Sequence, residues 1–218
     1  MAMTPRTTRT EVTNLLDYLL ESEIAIATNP VVESNGRIGW SVSSGGPFLV
    51  SRTPRLSNYR HWLATSAYSA VLADGSLLQL SYDFDGRLLT GHRLAHIPSP
   101  FDMDVGLLRT APFADVFDIY AESPEEPVAL RTPIRFDFNR NKAGPGHPAA
   151  HFTFNSSDCR IACLAPLRVG QFAAFVFASF YPTLYAAHTY LQSGSTHRFD
   201  DATVTASERQ APYVDWRT

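Results

Sequence analysis

The sequence predicts an α+β fold: an antiparallel sheet packed by one helix near the N-terminus and another in the C-terminal half. Three observations carry the prediction. Asp74-Gly75 and Asp85-Gly86 separate runs of alternating apolar and polar residues. Asp-Gly between such runs is a strong short-range hairpin signal, because the tight turn needs a positive φ that glycine adopts without strain. An amphipathic stripe at helical spacing lies ahead of these turns, and a second, almost wholly apolar one lies beyond them. The chain has 218 residues, 44% hydrophobic and 18% charged, against ~25% charged in an average soluble chain. That composition suits a single domain over residues 1–218 with a sizeable core. The polar stretches 1–8 and 195–218 are expected to be flexible or docking tails.

The first helix is expected over residues 10–28. Val12, Leu15, Leu16, Leu19 and Ile26 recur at helical spacing, Leu20 and Ile24 widen the stripe, Thr10 serves as N-cap and Asn29-Pro30 as stop. A meander around residues 67–97 follows, with strands over 67–72, 77–84 and 87–97. On its middle strand Leu78, Leu80, Tyr82 and Phe84 share one side, opposite Gln79, Ser81 and Asp83. The polar side is expected to be solvent surface or the floor of a site. After Pro98 the pattern turns irregular, with a short helical stretch near 115–120 and an acidic loop over 122–127, too short to link two domains. Further strands are expected near 130–138 and 149–155. Phe172, Phe175, Val176 and Phe180 mark the second helix, which ends before Pro182, and another helical stretch spans 183–191. Tyr213, Val214 and Trp216 are expected at a sheet edge or a docking contact.

Charge and composition exclude several classes. A net charge of −3 gives no global positive field toward nucleic acid or anionic lipid, so any such binding must come from a local patch. The opening MAMTPRTTRTEV has no apolar run after its arginines, so no signal peptide is expected. No apolar run reaches the ~18 residues of a membrane span, and a cytoplasmic protein that does not engage a membrane is expected. Two cysteines, Cys159 and Cys163, suit reduced thiols better than a stapled scaffold.

The motif search returns no phosphate-binding loop, no HExxH, no nucleophile elbow and no CxxC. Gly144-Pro-Gly146-His-Pro-Ala149 has dinucleotide-fingerprint spacing, but its prolines block the helix that would cradle a phosphate. His147-x3-His151 and Cys159-x3-Cys163 carry zinc-type ligands. On an extended segment residues four apart lie ~13 Å from each other, too far to share a metal, so no metal and no cofactor are expected. Asp83-x-Asp85 and Asp102-x-Asp104 fit turn chemistry.

Two candidate sets remain. Arg52, Arg55 and Arg60 can neutralise phosphates while Tyr59 and Trp62 offer stacking faces for unpaired bases, so this stretch is a candidate nucleic-acid contact. Its plain alternative is a surface loop anchored by its aromatics. His92, His147 and His151 with Arg93 and Arg135 are the candidate catalytic set: two imidazoles for acid and base and a guanidinium on the phosphate would permit metal-independent RNA cleavage. His92 is expected to point the opposite way from Arg93, and a strand histidine is more often hydrogen-bonded structure.

The run Leu72-Ala-Asp-Gly-Ser-Leu-Leu-Gln-Leu-Ser-Tyr82, then His92-Arg-Leu94, Pro98-Ser-Pro-Phe101, Pro133-Ile-Arg-Phe-Asp-Phe138, His147-Pro-x-x-His151, Cys159-Arg-Ile161, Pro166-Leu, Phe172 and Phe180-Tyr181 resembles an uncharacterised conserved prokaryotic family, a domain of unknown function. That family usually continues Cys-Arg-Ile with proline, where this chain has Ala162. A more distant similarity is to TumE-type toxins of toxin–antitoxin pairs, which share an Asp-Gly-Ser hairpin and a later histidine-rich strand and so nominate Asp74, His92, His147 and His151. The resemblance implies a component of a bacterial defence or toxin–antitoxin-like module. Two activities fit: a subunit that binds protein or nucleic acid within a larger complex, its partner a neighbouring gene product or RNA, or a metal-independent ribonuclease-type toxin using histidine acid/base chemistry. The first is preferred here, because no recognised catalytic signature is present and the chain is poor in charge and rich in aromatics (12%).

Overall fold

A computed structural model of the chain describes residues 3–40, 56–122, 132–154, 159–194 and 202–215. The first helix, α1, spans Pro5–Glu21. Thr4 caps it: its Oγ1 accepts the Thr7 N–H, while the Thr7 hydroxyl accepts the Thr4 N–H in return. Pro5 at the first helical position supplies a preset φ. The helix therefore begins and ends earlier than the apolar stripe indicates. Glu23 takes a positive φ of 55°, and residues 24–28 leave the helix to form β1 (Ala25–Thr28). A register shift between Ala25 and Ala27 interrupts the strand alternation, and Ile24 packs in one core while Ile26 packs against the other.

The hairpin of β2 (Val31–Ser34) and β3 (Arg37–Trp40) turns on Asn35-Gly36, both at positive φ. After α2 (Leu56–Ala64) come β4 (Ala70–Leu72), β5 (Leu77–Asp85) and β6 (Leu88–Ile97), the meander read from the Asp-Gly turns. Helices α3 (Val105–Thr110) and α4 (Phe113–Glu122) follow, then β7 (Ile134–Asn139), β8 (Ala150–Phe154) and β9 (Arg160–Ala162). The chain closes with α5 (Val169–Phe180), α6 (Pro182–Ala187) and α7 (Thr189–Ser193). The nine strands of the described residues join one sheet in the order β1-β4-β5-β6-β7-β8-β9, with β3 paired to the same edge of β5 as β4 and β2 outside it. Every one of these pairings is antiparallel. The fold is thus α+β, as expected.

The sheet carries a core on each face. One face buries Leu78, Leu80, Tyr82, Leu94, Phe136 and Phe138 beneath α1 and α5, which supply Leu15, Leu16, Leu19, Phe172, Val176 and Phe177. The other face, at the β4–β6 end, buries Val71, Leu77, Ala95 and Ile97 beneath α2, α3 and α4, through Tyr59, Trp62, Leu108, Val116 and Phe117. This second layer corrects the expectation of a polar, accessible side on β5. Gln79 and Ser81 are buried there, and the Gln79 side-chain amide donates to the Ala67 carbonyl at 2.5 Å. Each large apolar side chain so buried contributes ~1.5–3 kcal/mol. Segment 202–215 docks rather than trailing: Val214 exchanges backbone hydrogen bonds with Ala162 and Leu164, both at 2.8 Å. Trp216, most of the acidic loop 122–127 and residues 195–201 lie outside the described residues.

The start of α5 crosses the end of α7 at two glycines. A Cβ on Gly194 would overlap the Gly170 carbonyl. Overpacking of this kind costs ~1–3 kcal/mol, so Gly194→Ala is expected to lower the melting temperature by several degrees. Gly144→Ala, whose Cβ would meet nothing within 4 Å, is the matched control and is expected to leave it unchanged. Equal melting temperatures for the two variants would contradict the close crossing.

Candidate functional site

Strand alternation sorts the polar residues of β5–β9 onto two faces. On the face away from α1 and α5 the register makes one cross-strand row of Ser81, Arg93, Asp137, His151 and Ala162, and a neighbouring row of Gln79, Ala95, Arg135, Thr153 and Arg160. Asp137 is the hub. Its Oδ1 accepts from Arg93 Nε at 3.0 Å and its Oδ2 from Arg135 Nε at 2.5 Å, and His151 Nε2 stands 3.7 Å from the same Oδ2. The carboxylate and the Arg135 side chain are nearly buried, at 10% and 12% exposure, while Arg93 reaches solvent at 41%. A carboxylate held between two guanidiniums fixes both in orientation.

His147 also reaches this face. The turn Gly144–His147 closes through a pair of backbone hydrogen bonds, and the His147 and His151 ring centroids stand 5.0 Å apart. The expectation that an extended chain separates these two is therefore corrected: the turn before β8 folds His147 back over the strand. His151 Nδ1 lies 3.0 Å from the Pro148 carbonyl. Burial lowers the His151 pKa from its ordinary value, with Asp137 opposing part of that shift, so the ring is neutral at pH 7. Cys163 is buried and Cys159 exposed, and burial pushes the Cys163 thiol well up. Among the described residues no group of three or more His, Cys, Asp or Glu side chains is arranged to hold a metal ion.

His92 lies on the opposite face, paired in register with Tyr82 and Phe138. It is 3% exposed, and its Nε2 accepts the backbone N–H of Leu167 at 3.0 Å. Desolvation lowers its pKa to about 4, Asp137 partly opposing. The candidate catalytic set is thus split: the structure brings Arg93, Arg135, His147 and His151 together and places His92 in the core across the sheet, where it ties β6 to the residue preceding Arg168 and α5.

The basic–aromatic stretch is also resolved in part. Tyr59 and Trp62 are 3% and 2% exposed, inside the second core, so neither ring face is available for a base. The Tyr59 hydroxyl donates to the Gly75 carbonyl. Arg60 is exposed, pairs with Asp118 at 3.0 Å and sits over the Phe117 ring. This corrects the stacking role; the aromatics do anchor the segment, but on helix α2 and not on a surface loop. Arg52 and Arg55 lie outside the described residues.

Sequence reading passed over a second polar cluster. The Tyr181 hydroxyl donates to Asp74 Oδ2 at 2.9 Å, and His96 Nε2 lies 3.0 Å from the same hydroxyl. With the phenol proton committed to Asp74, His96 must donate through Nε2, which leaves its partnerless Nδ1 as the bare lone pair. Asp74 also accepts from the Ser76 N–H and hydroxyl. His96 is 1% exposed, and burial lowers its pKa to about 4. Asp74 therefore belongs to a clasp joining the β4–β5 turn, β6 and the end of α5. No local signal reveals it, since Asp74 and Tyr181 are 107 positions apart. Asp137 was legible in principle, because strand alternation alone puts it on the side of Arg135; Arg160 joins only through the β8–β9 register.

Among the described residues a nine-stranded antiparallel sheet with a helical layer on each face defines an α+β protein carrying an arginine–histidine cluster. A family model described as an uncharacterized conserved protein, DUF2290, matches residues 21–216, and the chain belongs to that family. No curated protein and no solved structure matches it. Among the described residues no helix is long and apolar enough to cross a membrane.

Proposed function

We propose that this chain is a nucleic-acid-binding subunit of a bacterial defence or toxin–antitoxin-like assembly, and that the face bearing Arg93, Arg135 and Arg160 meets the phosphate backbone of RNA. One observation carries the binding role. Arg93 and Arg135 hold a single carboxylate, and Arg160 lies on the same sheet face two strands from Arg135, in a chain whose net charge is −3. Concentrating positive charge locally against the overall sign is what phosphate contact requires. The placement in defence biology rests on the motif series shared with that family and on the distant likeness to TumE-type toxins.

Arg93→Ala and Arg160→Ala are each expected to weaken binding of a single-stranded RNA several-fold. Each should also flatten the dependence of log K on log salt by ~0.7. Fluorescence anisotropy over a salt series reads both quantities. Unchanged affinity and slope in both variants, with unchanged melting temperature, would remove this face from the proposal.

A second reading, a metal-independent ribonuclease, is favoured by the facing His147 and His151 rings beside Arg93 and Arg135. It proceeds without His92. RNA cleavage that disappears in both His147→Ala and His151→Ala would decide for it.

A further inference from the structure

A separate groove of about 780 Å³ runs along the first half of α1, between that helix and the turns of the β2–β3 and β5–β6 hairpins. Arg6 and Arg9 line it from α1 and Arg87 from the β5–β6 turn, with Thr10 and Asn14 between them and Glu33 opposite. All three arginines are exposed. Glu33 is the one acidic residue of the lining and lies 3.9 Å from Arg9, so the groove holds a surplus of two positive charges in an acidic chain. The start of α1 adds nothing to the case, because Thr4 and Thr7 cap each other there. No aromatic side chain lines the groove, so it has no platform on which a base could stack.

Its chemistry is guanidinium groups spaced along a trench, with hydroxyls and an amide between them. We infer that this groove binds a chain of phosphates. Guanidiniums meet phosphate oxygens through paired, charge-assisted hydrogen bonds, and a trench with several of them suits a linear polyanion better than a single ion. The chain of phosphates has two possible sources, the backbone of a nucleic acid and a free polyphosphate group such as that of a nucleotide. The groove shares no residue with the Arg93 face, so its occupancy does not depend on the function proposed above.

The test is calorimetric titration of the full chain with inorganic tripolyphosphate at low salt, repeated after saturation with a short single-stranded RNA. Binding is expected in the wild type, roughly tenfold weaker in the double variant Arg6→Glu, Arg87→Glu and unchanged in Arg93→Ala. Both groove substitutions are at exposed positions, and an unchanged melting temperature confirms the fold. Tripolyphosphate displaced by RNA identifies a nucleic-acid backbone as the occupant; tripolyphosphate bound equally with RNA present identifies a free phosphate chain. No binding by the wild type, or equal binding by the wild type and the double variant, overturns the inference. Either result leaves the Arg93 face to be judged on its own RNA measurements, and loss of RNA dependence on Arg93 and Arg160 would conversely leave the groove standing.

Discussion

Taking the protein from pH 7.5 to pH 5 is expected to remove ~4 kcal/mol of its stability, about 2 kcal/mol for each of His92 and His96. Both are buried, and desolvation lowers both pKa values from 6.5 to about 4. In the unfolded chain each ring takes up a proton as pH falls through 6.5; in the folded protein each resists until about pH 4. The unfolded state therefore binds more protons throughout that window. Stability is full above pH 6.5 and declines as pH drops toward 4. Geometry gives the same direction. Protonating His92 at Nε2 would set a new N–H against the Leu167 N–H it now accepts, and protonating His96 would place a new N–H at its buried, partnerless Nδ1, a cost that nearby Asp74 offsets only in part. Urea unfolding at a series of pH values measures the slope. Replacing either histidine with glutamine should lower stability at pH 7.5 yet remove about half of the slope. A stability that stays flat between pH 7.5 and 5 would mean that these rings are open to solvent or already protonated in the fold.

Asp137→Ala is the substitution expected to cost most, ~3–5 kcal/mol. The change leaves Arg135, only 12% exposed, and the more accessible Arg93 facing each other with their shared counter-charge gone. A buried guanidinium that loses its carboxylate is penalised by lost hydration, and two like charges across adjacent strands add repulsion. Arg135 bears most of this, since Arg93 can relax toward water. Thermal or denaturant unfolding reads the loss. The double change Arg135→Met, Asp137→Leu is informative because it removes the inner pair together and should recover most of the stability, as apolar replacements of buried ion pairs commonly do. It would also strip the cluster proposed to contact RNA of its scaffold, so on that proposal a stable protein with weakened RNA binding is the expected phenotype. If Asp137→Ala alone were as stable as the wild type, the hub would be a surface ion pair of small consequence.

The elements that were legible in the sequence are those whose signals are local. The two Asp-Gly turns gave the β4–β6 meander, and the alternation of Ile134, Phe136 and Phe138 against Arg135 and Asp137 gave β7 with its faces correctly sorted. Where signals were non-local they misled. Ile24 and Ile26 extend the stripe of α1 on a helical wheel, yet they serve the pairing of β1 with β4, which only the folded sheet specifies. Gln79 and Ser81 read as a wet strand face because nothing in β5 announces that α2, α3 and α4 return to cover it. The aromatic content of residues 56–62 is visible in the sequence, but Tyr59 and Trp62 mark that returning layer rather than a binding surface. In the candidate site, Arg93, Arg135 and His151 share a face through strand period and register. His92 is removed from them by the same period, one position from Arg93, and His147 joins them through a turn that spacing rules treat as extended.

The docking of segment 202–215 has a bearing on how the protein behaves in concentrated solution. A sheet of nine strands ends in edges, and an edge with unpaired amides and carbonyls is a template on which a second molecule can add a strand. At the β9 end that template is occupied from within, since Val214 takes up the Ala162 carbonyl and the Leu164 amide while Val204 and Tyr213 pack beside Ala162 and Leu164. The segment thus works as a selvedge, finishing the weave so that it does not catch on its neighbour. Loss or displacement of those few residues would bare the Ala162 carbonyl and the Leu164 amide, and self-association ahead of unfolding is the expected result.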